Sequence, residues 1–118
     1  MEFIEHKTNS GLVIEVKTNK TLIELQDFID ILGNSYYLGS NGVIVHSENL
    51  HEDFFELKTN LAGEILQKFS NYRQKLAIIG KYNNVESKSL NDFIRESNKY
   101  GKISFVQCLD EALIALEK

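Results

Sequence analysis

The sequence predicts a single α/β domain, in which a mixed and mostly parallel sheet is packed with helices. Its 118 residues have the usual length of one domain. Strand-like residues 3–7 and 12–16, rich in branched and aromatic side chains, flank turn formers at 8–11 and so indicate an opening hairpin. After this hairpin, helical and strand-like patterns alternate, and such alternation is typical of parallel strands joined by crossover helices.

The first helix is predicted from a start signal, a stop signal and an apolar face. Thr21 and Glu24 have the spacing of a capping box, so the helix is expected to begin there. Gly33 and Asn34 are expected to end it, because these residue types favour helix termination. The apolar residues that recur at helical spacing between the two signals are Leu22, Leu25, Phe28, Ile29 and Leu32.

The middle of the chain is predicted to hold a loop, a buried strand and the second helix. Residues 36–42 are rich in glycine, serine and asparagine and indicate a loop, whereas 43–45 form a short branched run typical of a buried strand. The main part of the second helix is placed after Thr59, because Thr59 and Asn60 favour caps over helix interiors. The apolar residues at helical spacing here are Phe54, Leu57, Leu61, Ile65, Leu66, Phe69 and Tyr72.

The last part of the chain completes the alternation. The apolar run 76–80 ends in glycine and predicts a central strand that is covered on both faces. Ser89 and Asp92 have the spacing of a cap for the third helix. Residues 103–107 and 110–116 are expected to form the final strand and helix.

Composition and charge limit the classes of function. No apolar run approaches the roughly 18–20 residues that a bilayer requires, and the first residues lack the pattern of a signal peptide. The single cysteine, Cys108, is expected to be a small buried thiol and fits a reducing compartment. The net charge of −4 argues against a general nucleic-acid binder. We therefore expect a cytoplasmic protein that binds neither membranes nor nucleic acids.

Two segments resemble the STAS domain of anti-sigma-factor antagonists. Residues 55–66 are similar to the stretch where such domains enter their second helix, and residues 105–116 are similar to their last strand and helix. The order of predicted elements is also similar. The resemblance implies a STAS-like β-β-α-β-α-β-α-β-α sandwich.

A second resemblance covers most of the chain. Residues 53–59, 61–69, 71–73 and 92–98 resemble the bacterial domain-of-unknown-function family 4180. No activity is established for that family, so this resemblance bears on the fold more than on the function.

The STAS resemblance implies a regulatory role for Thr59. In such antagonists a serine at the start of the second helix is phosphorylated by a partner kinase, which weakens docking, and Thr59 is the residue nearest to that position. A phosphate there would meet unpaired backbone N–H groups at a helix start. The usual Asp-Ser-Ser-Gly pattern is replaced by Leu-Lys-Thr-Asn at residues 57–60. The alternative role of Thr59 is that of a plain helix cap.

One cluster of metal-ligand residue types follows the strand predicted at 43–45. Its members are His46, Glu48, His51, Glu52 and Asp53. A metal site at His46, His51, Glu52 and Asp53, or a general base at His46, is one hypothesis, and an exposed acidic loop is the alternative. No phosphate-binding or dinucleotide motif occurs, so no cofactor is predicted.

Polar residues at the starts and ends of the second and third helices are candidates for a partner surface. They are Thr59, Asn60, Gln67, Lys68, Asn71, Tyr72, Arg73, Arg95, Glu96 and Asn98. Helix capping and surface salt bridges are the alternative roles.

Three hypotheses for the function follow. The favoured one is a non-catalytic, STAS-like regulatory module that binds a protein partner through the acidic loop 46–56 and the start of the second helix, with Thr59 as a candidate residue. One alternative is a small ligand- or metal-binding protein or enzyme with its site in the 46–56 loop. The other is a homo-oligomeric structural protein, for example a homodimer, which would expose an apolar patch near Tyr36 and Tyr37.

Overall fold

The computed structural model describes residues 1–82 and 85–117. The strands are β1 (Glu2–Thr8), β2 (Gly11–Lys17), β3 (Gly42–His46), β4 (Lys75–Ile79) and β5 (Ile103–Val106). The helices are α1 (Leu25–Tyr37), α2 (Glu52–Phe55), α3 (Leu61–Asn71), α4 (Lys88–Tyr100) and α5 (Leu109–Glu117). Short 3₁₀ turns lie at Ser47–Asn49 and Leu57–Thr59. The predicted α/β fold class, a mixed and mostly parallel sheet packed with helices, is confirmed.

The five strands lie in the sheet in the order in which they occur along the chain. The β1 strand is antiparallel to β2, and β2, β3, β4 and β5 are parallel to one another. Each parallel crossover therefore moves one strand further in the same direction. Because such crossovers share one handedness, their helices α1, α3 and α4 lie on the same face of the sheet. Among the helices of the described residues, only α5, which follows the last strand, packs on the opposite face.

Alternate residues of the central strands enter two separate cores. The larger core lies under α1, α3 and α4 and is centred on three fully buried side chains, Phe28, Phe54 and Phe69. The smaller core lies under α5, where Ala112 and Leu116 pack on the sheet. At about 1.5 Å per residue, this short helix is too small to cover the whole face, which leaves the region near β1 and the carboxyl ends of β2 and β3 without a helix.

The first helix differs from its prediction at both ends. It begins at Leu25, and the Asp27 carboxylate accepts hydrogen bonds from the N–H groups of Ile23 and Glu24 at 2.9 and 3.0 Å. The capping box predicted at Thr21 is therefore wrong.

Leu22 also lies outside the first helix. It forms a β-bridge with Leu50, and both side chains are buried. At its other end, α1 continues past Gly33 and Asn34 to Tyr37. This extension buries Ser35 in a polar network, so tertiary contacts outweigh the local stop signal.

Two other sequence predictions are corrected. The cap of α4 is Ser87, whose hydroxyl accepts a hydrogen bond from the N–H of Leu90 at 3.2 Å, so the cap predicted at Ser89 is wrong. Cys108 is exposed and not buried, because it lies where the chain leaves β5 and turns towards α5. No helix in the described part of the chain has the length and apolar character needed to cross a bilayer.

Candidate functional site

The two ends of the parallel sheet carry opposite charge. We call the end where β2 to β5 begin the amino edge and the opposite end the carboxyl edge. The segments that meet at the amino edge are 8–11, 37–41, 71–75 and 99–102. They contain four basic residues, Arg73, Lys75, Lys99 and Lys102, and no acidic residue. The end of α5 adds one acidic residue at this edge, Glu117, whose carboxylate accepts the N–H of Asn9 at 3.2 Å.

The carboxyl edge has the reverse composition. Its segments are 18–24, 47–60, 80–82 with 85–87, and 107–111. The acidic residues there are Glu24, Glu48, Glu52, Asp53, Glu56, Glu86, Asp110 and Glu111, and the basic ones are Lys20, Lys58 and Lys81. The chain is therefore polarised along the direction of its strands, although its net charge is only −4.

A groove of about 530 Å³ runs between α1 and α3 and ends near the amino edge. Its lining residues are Ile29, Leu32, Gly33, Tyr36, Lys68, Asn71 and Tyr72. The rings of Tyr36 and Tyr72 meet edge to face, with centroids 6.1 Å apart, and both side chains are more than half exposed. Tyr37, next to the groove in sequence, is 88% exposed. The groove thus combines an apolar floor with an aromatic and basic rim.

A buried hydrogen-bond network fixes the two segments that carry these tyrosines. The Ser35 hydroxyl donates to Oε1 of Gln74 at 2.7 Å, and Nε2 of Gln74 donates to the carbonyl oxygen of Ser40 at 2.7 Å. Ser35 immediately precedes Tyr36, and Gln74 follows Tyr72 by two residues. The network therefore connects the end of α1 to the chain that leaves α3.

A different polar cluster lies on the face of the sheet that α5 leaves uncovered. Nε2 of His6 lies 2.9 Å from Oε1 of Glu15, and Nε2 of His46 lies 2.7 Å from Oε2. Glu15 is only 6% exposed, so its carboxylate is buried between two partly exposed imidazoles. Burial acts to raise the pKa of Glu15, but the hydrogen bonds and charges of His46 and His6 outweigh it, and the pKa lies below its usual value.

His46 also lines a cleft of about 410 Å³ at the carboxyl edge. The other lining residues are Ser47, Glu48, Ile79, Gly80, Lys81 and Gln107. A methyl group on Gly80 would overlap the Ser47 side chain, so the ends of β3 and β4 approach each other closely only because residue 80 is glycine.

The residues of the predicted metal cluster form separate contacts. His46 bonds Glu15, whereas Nδ1 of His51 accepts the N–H of Asp53 at 3.1 Å and lies 3.5 Å from the Asp53 carboxylate. Glu52 is exposed on α2. Among the described residues, no three histidine, cysteine, aspartate or glutamate side chains are arranged to hold a metal ion.

Thr59 and Asn60 lie at the carboxyl edge, where they shape the start of α3. The Thr59 hydroxyl lies 2.7 and 2.9 Å from the carbonyl oxygens of Asp53 and Glu56 and accepts the N–H of Leu61 at 3.2 Å. Asn60 has a left-handed backbone conformation, with φ 61°. The N-cap of α3 is Asn60, whose side chain makes no capping bond, whereas Thr59 lies one residue earlier and bonds the first residue of the helix.

The other predicted partner residues fall into two groups, apart from Gln67, which is exposed on α3 and bonds Asn71 at 2.9 Å. Lys68, Asn71 and Tyr72 line the groove between α1 and α3, and Arg73 lies at the amino edge. The remaining three residues lie on α4. Arg95 bonds Asp92 at 2.7 Å, and Glu96 lines a cleft with Phe93 and Tyr100. The Asn98 side chain bonds the backbone N–H and the carbonyl oxygen of Phe105.

Sequence reasoning missed two members of the polar cluster on the uncovered face of the sheet, His6 and Glu15. A signal for Glu15 was present, since it is the one charged residue inside the buried run of β2. The pairing with His6 and His46 depends on strand order and register, and the sequence does not show these.

A model of the family described as "Domain of unknown function (DUF4180)" matches residues 8–116. Searches of curated proteins and of solved structures gave no match. The STAS-like topology stays a prediction. Because the family model covers nearly the whole length, the chain belongs to the DUF4180 family.

Proposed function

We propose that the protein is a non-catalytic binding module whose amino edge docks an acidic segment of a partner protein. The observation that carries the proposal is that the tyrosine-lined groove ends at the same edge as four basic residues, which line two further clefts there. Glu117, at the end of α5, shares one of these clefts with Arg73 and Lys75. A cytoplasmic location belongs to the same proposal and is supported by the exposed, unpaired thiol of Cys108.

The tyrosines provide the anchoring part of this surface. Tyrosine is enriched in protein interfaces because its ring offers a large, rigid apolar area while its hydroxyl hydrogen-bonds at the wet rim. The partly exposed Tyr36 and Tyr72 flank a groove whose floor is formed by Ile29 and Leu32. An apolar or aromatic side chain of the partner would occupy this groove, and central contacts of that kind contribute most of the binding free energy in typical interfaces.

The basic residues determine the charge of the partner. Within the described residues, none of Lys68, Arg73 and Lys99 forms an ion pair, and neither does Lys102. Their field would attract an acidic segment and repel a basic one, which affects association rate and specificity more than affinity. The acidic carboxyl edge and the net charge of −4 favour a protein partner over a nucleic acid.

The proposal is tested with a displayed library of random peptides, selected on the immobilised full chain. Enriched peptides are then synthesised, and their dissociation constants are measured by fluorescence anisotropy at two salt concentrations. We expect peptides that combine several acidic residues with an aromatic or aliphatic anchor. We also expect weaker binding at higher salt, because ions screen exposed charges.

Matched variants locate the binding surface. Arg73→Glu with Lys99→Glu should weaken binding by about tenfold, since each exposed charge contributes up to roughly 1 kcal/mol. The control, Lys20→Glu with Lys58→Glu, makes the same charge change at the carboxyl edge and should leave the dissociation constant within about twofold. Tyr72→Ser should abolish binding.

Three results would overturn the proposal. One is that selection enriches no peptide, and another is that both charge-reversal pairs weaken binding equally. The third is binding of a single-stranded oligothymidylate at the amino edge with higher affinity than any peptide, which would replace the protein partner with a nucleic acid.

A further inference from the structure

The carboxyl edge holds a second candidate site that is independent of the proposed partner surface. It consists of the cleft lined by His46, Ser47, Gly80 and Lys81, together with the buried Glu15 behind His46. We propose that this cleft binds a small oxyanion, a carboxylate or a phosphate group, between His46 and Lys81, and that Glu15 is the positioning residue that orients His46.

The buried carboxylate of Glu15 is the first argument. Placing an ionised carboxylate in the buried, otherwise apolar run of β2 is unfavourable unless hydrogen bonds compensate for the loss of contact with water. Its neighbours Ile14 and Val16 along β2 are fully buried apolar residues, and an apolar residue at position 15 would avoid this cost. Here the compensation comes from two histidines, so the cluster fixes the ring orientation of both.

The orientation of His46 is the second argument. Its Nε2 lies 2.7 Å from the Glu15 carboxylate. Because an ionised carboxylate accepts hydrogen bonds but cannot donate one, the proton of this bond is on Nε2. Within residues 1–82 and 85–117, Nδ1 of His46 has no hydrogen-bond partner. In its protonated form, His46 thus presents a second N–H donor away from Glu15, on a ring that lines the cleft.

The composition of the cleft is the third argument. Lys81 lines it and forms no ion pair with another described residue. The Ser47 hydroxyl and the Gln107 amide add neutral hydrogen-bonding groups, and Glu48 is the one acidic lining residue. A cationic ammonium, an imidazole and neutral donors together are groups that bind carboxylate and phosphate oxygens, and the bonds from the ammonium are charge-assisted.

The position of the cleft in the fold favours a ligand site, but the carboxyl edge is acidic overall, so the local donors must hold an anion against the charge of the surrounding segments. It lies at the carboxyl ends of β3 and β4, the end of a parallel sheet at which ligands of open α/β folds bind, although the strand order does not reverse between these two strands. Its volume of about 410 Å³ falls within the range of small-molecule sites.

The test is an NMR titration of the full ¹⁵N-labelled chain with sodium phosphate and, separately, with sodium malonate. Sodium chloride of equal ionic strength is the reference. We expect saturable shifts of the Ser47, Gly80 and Lys81 amides and of the His46 ring nitrogens with at least one of the two anions. The anion that saturates at the lower concentration identifies the group that the ligand carries. His6 is an internal control, because it contacts the same carboxylate but is not among the residues that line the cleft.

Variants make the assignment specific. Lys81→Gln should raise the dissociation constant by about tenfold, as expected when a hydrogen bond to a charged group is lost. Lys20→Gln removes a lysine from the same edge but outside the cleft lining and should leave the constant unchanged. Shifts that do not exceed those of chloride, or a dissociation constant that Lys81→Gln leaves unchanged, would refute the site.

The role of Glu15 needs its own measurement. In Glu15→Gln, long-range ¹⁵N–¹H spectra should show a changed proton distribution between the two His46 nitrogens, and anion binding should weaken. The alternative is that Glu15 only stabilises the contact between the strands. The variant would then unfold at lower denaturant concentration, but the protons on His46 would be distributed as in the wild type. That result would show that the positioning role is wrong.

Discussion

Replacing Gln74 with leucine tests whether the buried polar network supports the amino edge. Gln74 is 7% exposed and bonds two groups that are also buried, the Ser35 hydroxyl and the Ser40 carbonyl oxygen. Leucine has a similar size but no polar atom. The Gln74→Leu variant therefore leaves the Ser40 carbonyl without that donor and the Ser35 hydroxyl without its acceptor.

The cost follows from these two orphaned groups. A buried polar group left without its partner costs about 1–3 kcal/mol, and the added apolar contacts of leucine offset part of this. We expect the free energy of unfolding to fall by about 2–4 kcal/mol. With a urea m-value near 2 kcal/mol/M, the unfolding midpoint falls by about 1–2 M. The free energy of unfolding of a natural domain is roughly 5–15 kcal/mol, so the variant should still fold.

The assay is urea unfolding followed by far-ultraviolet circular dichroism. Gln67→Leu on α3 is the matched control, because Gln67 is exposed and its side chain bonds only the exposed Asn71. The double variant Ser35→Ala with Gln74→Leu should cost less than the sum of the two single changes, since each removes the same hydrogen bond. If Gln74→Leu lowers the midpoint no more than Gln67→Leu does, the network does not stabilise this edge.

Three further outcomes are expected. Asn98→Ala removes both hydrogen bonds to the backbone of Phe105 and should lower the free energy of unfolding by about 1–3 kcal/mol in the same urea assay, whereas an unchanged midpoint would show that these bonds contribute nothing. Gly80→Ala places a methyl group on Ser47 and should cost about 1–3 kcal/mol through overpacking, and this cost should shrink when Ser47→Gly is added. Because the native pKa of Glu15 is lowered, the unfolded chain binds more protons at this position, so the contribution of Glu15 is present above the usual glutamate pKa and is lost as the pH falls through the native value. Urea unfolding between about pH 3 and 6 should then show a smaller stability gain with rising pH in Glu15→Gln than in the wild type, and parallel curves would contradict the lowered pKa.

The fold could be read from the sequence wherever local and tertiary preferences agree. Residues 76–80 form an unbroken apolar run, and such a run has few alternatives to a strand that is covered on both faces. The predicted strand matches β4, Lys75–Ile79, within one residue at each end. At Gly33 the two preferences disagree, since the glycine favours a stop but burial of Ser35 extends the helix to Tyr37.

The candidate sites were predicted only in part. Lys68, Asn71 and Tyr72 were named from the sequence because they are polar or aromatic residues near a helix end, and the structure places them on one groove. Tyr36, named for a different hypothesis, lies across the same groove, because α1 and α3 pack side by side on one face of the sheet.

By itself, the sequence determined the order and approximate bounds of most helices and strands, the fold class and the family, because periodicity, turn formers and segment identity are local properties of the chain. Tertiary structure alone decided which residues from distant segments meet. The separation of charge between the two edges follows from the shared direction of four parallel strands, which gathers every helix-to-strand connection at one end. The contact of His6, Glu15 and His46 follows from the neighbouring positions of β1, β2 and β3 and from the short α5, which leaves that part of the sheet uncovered.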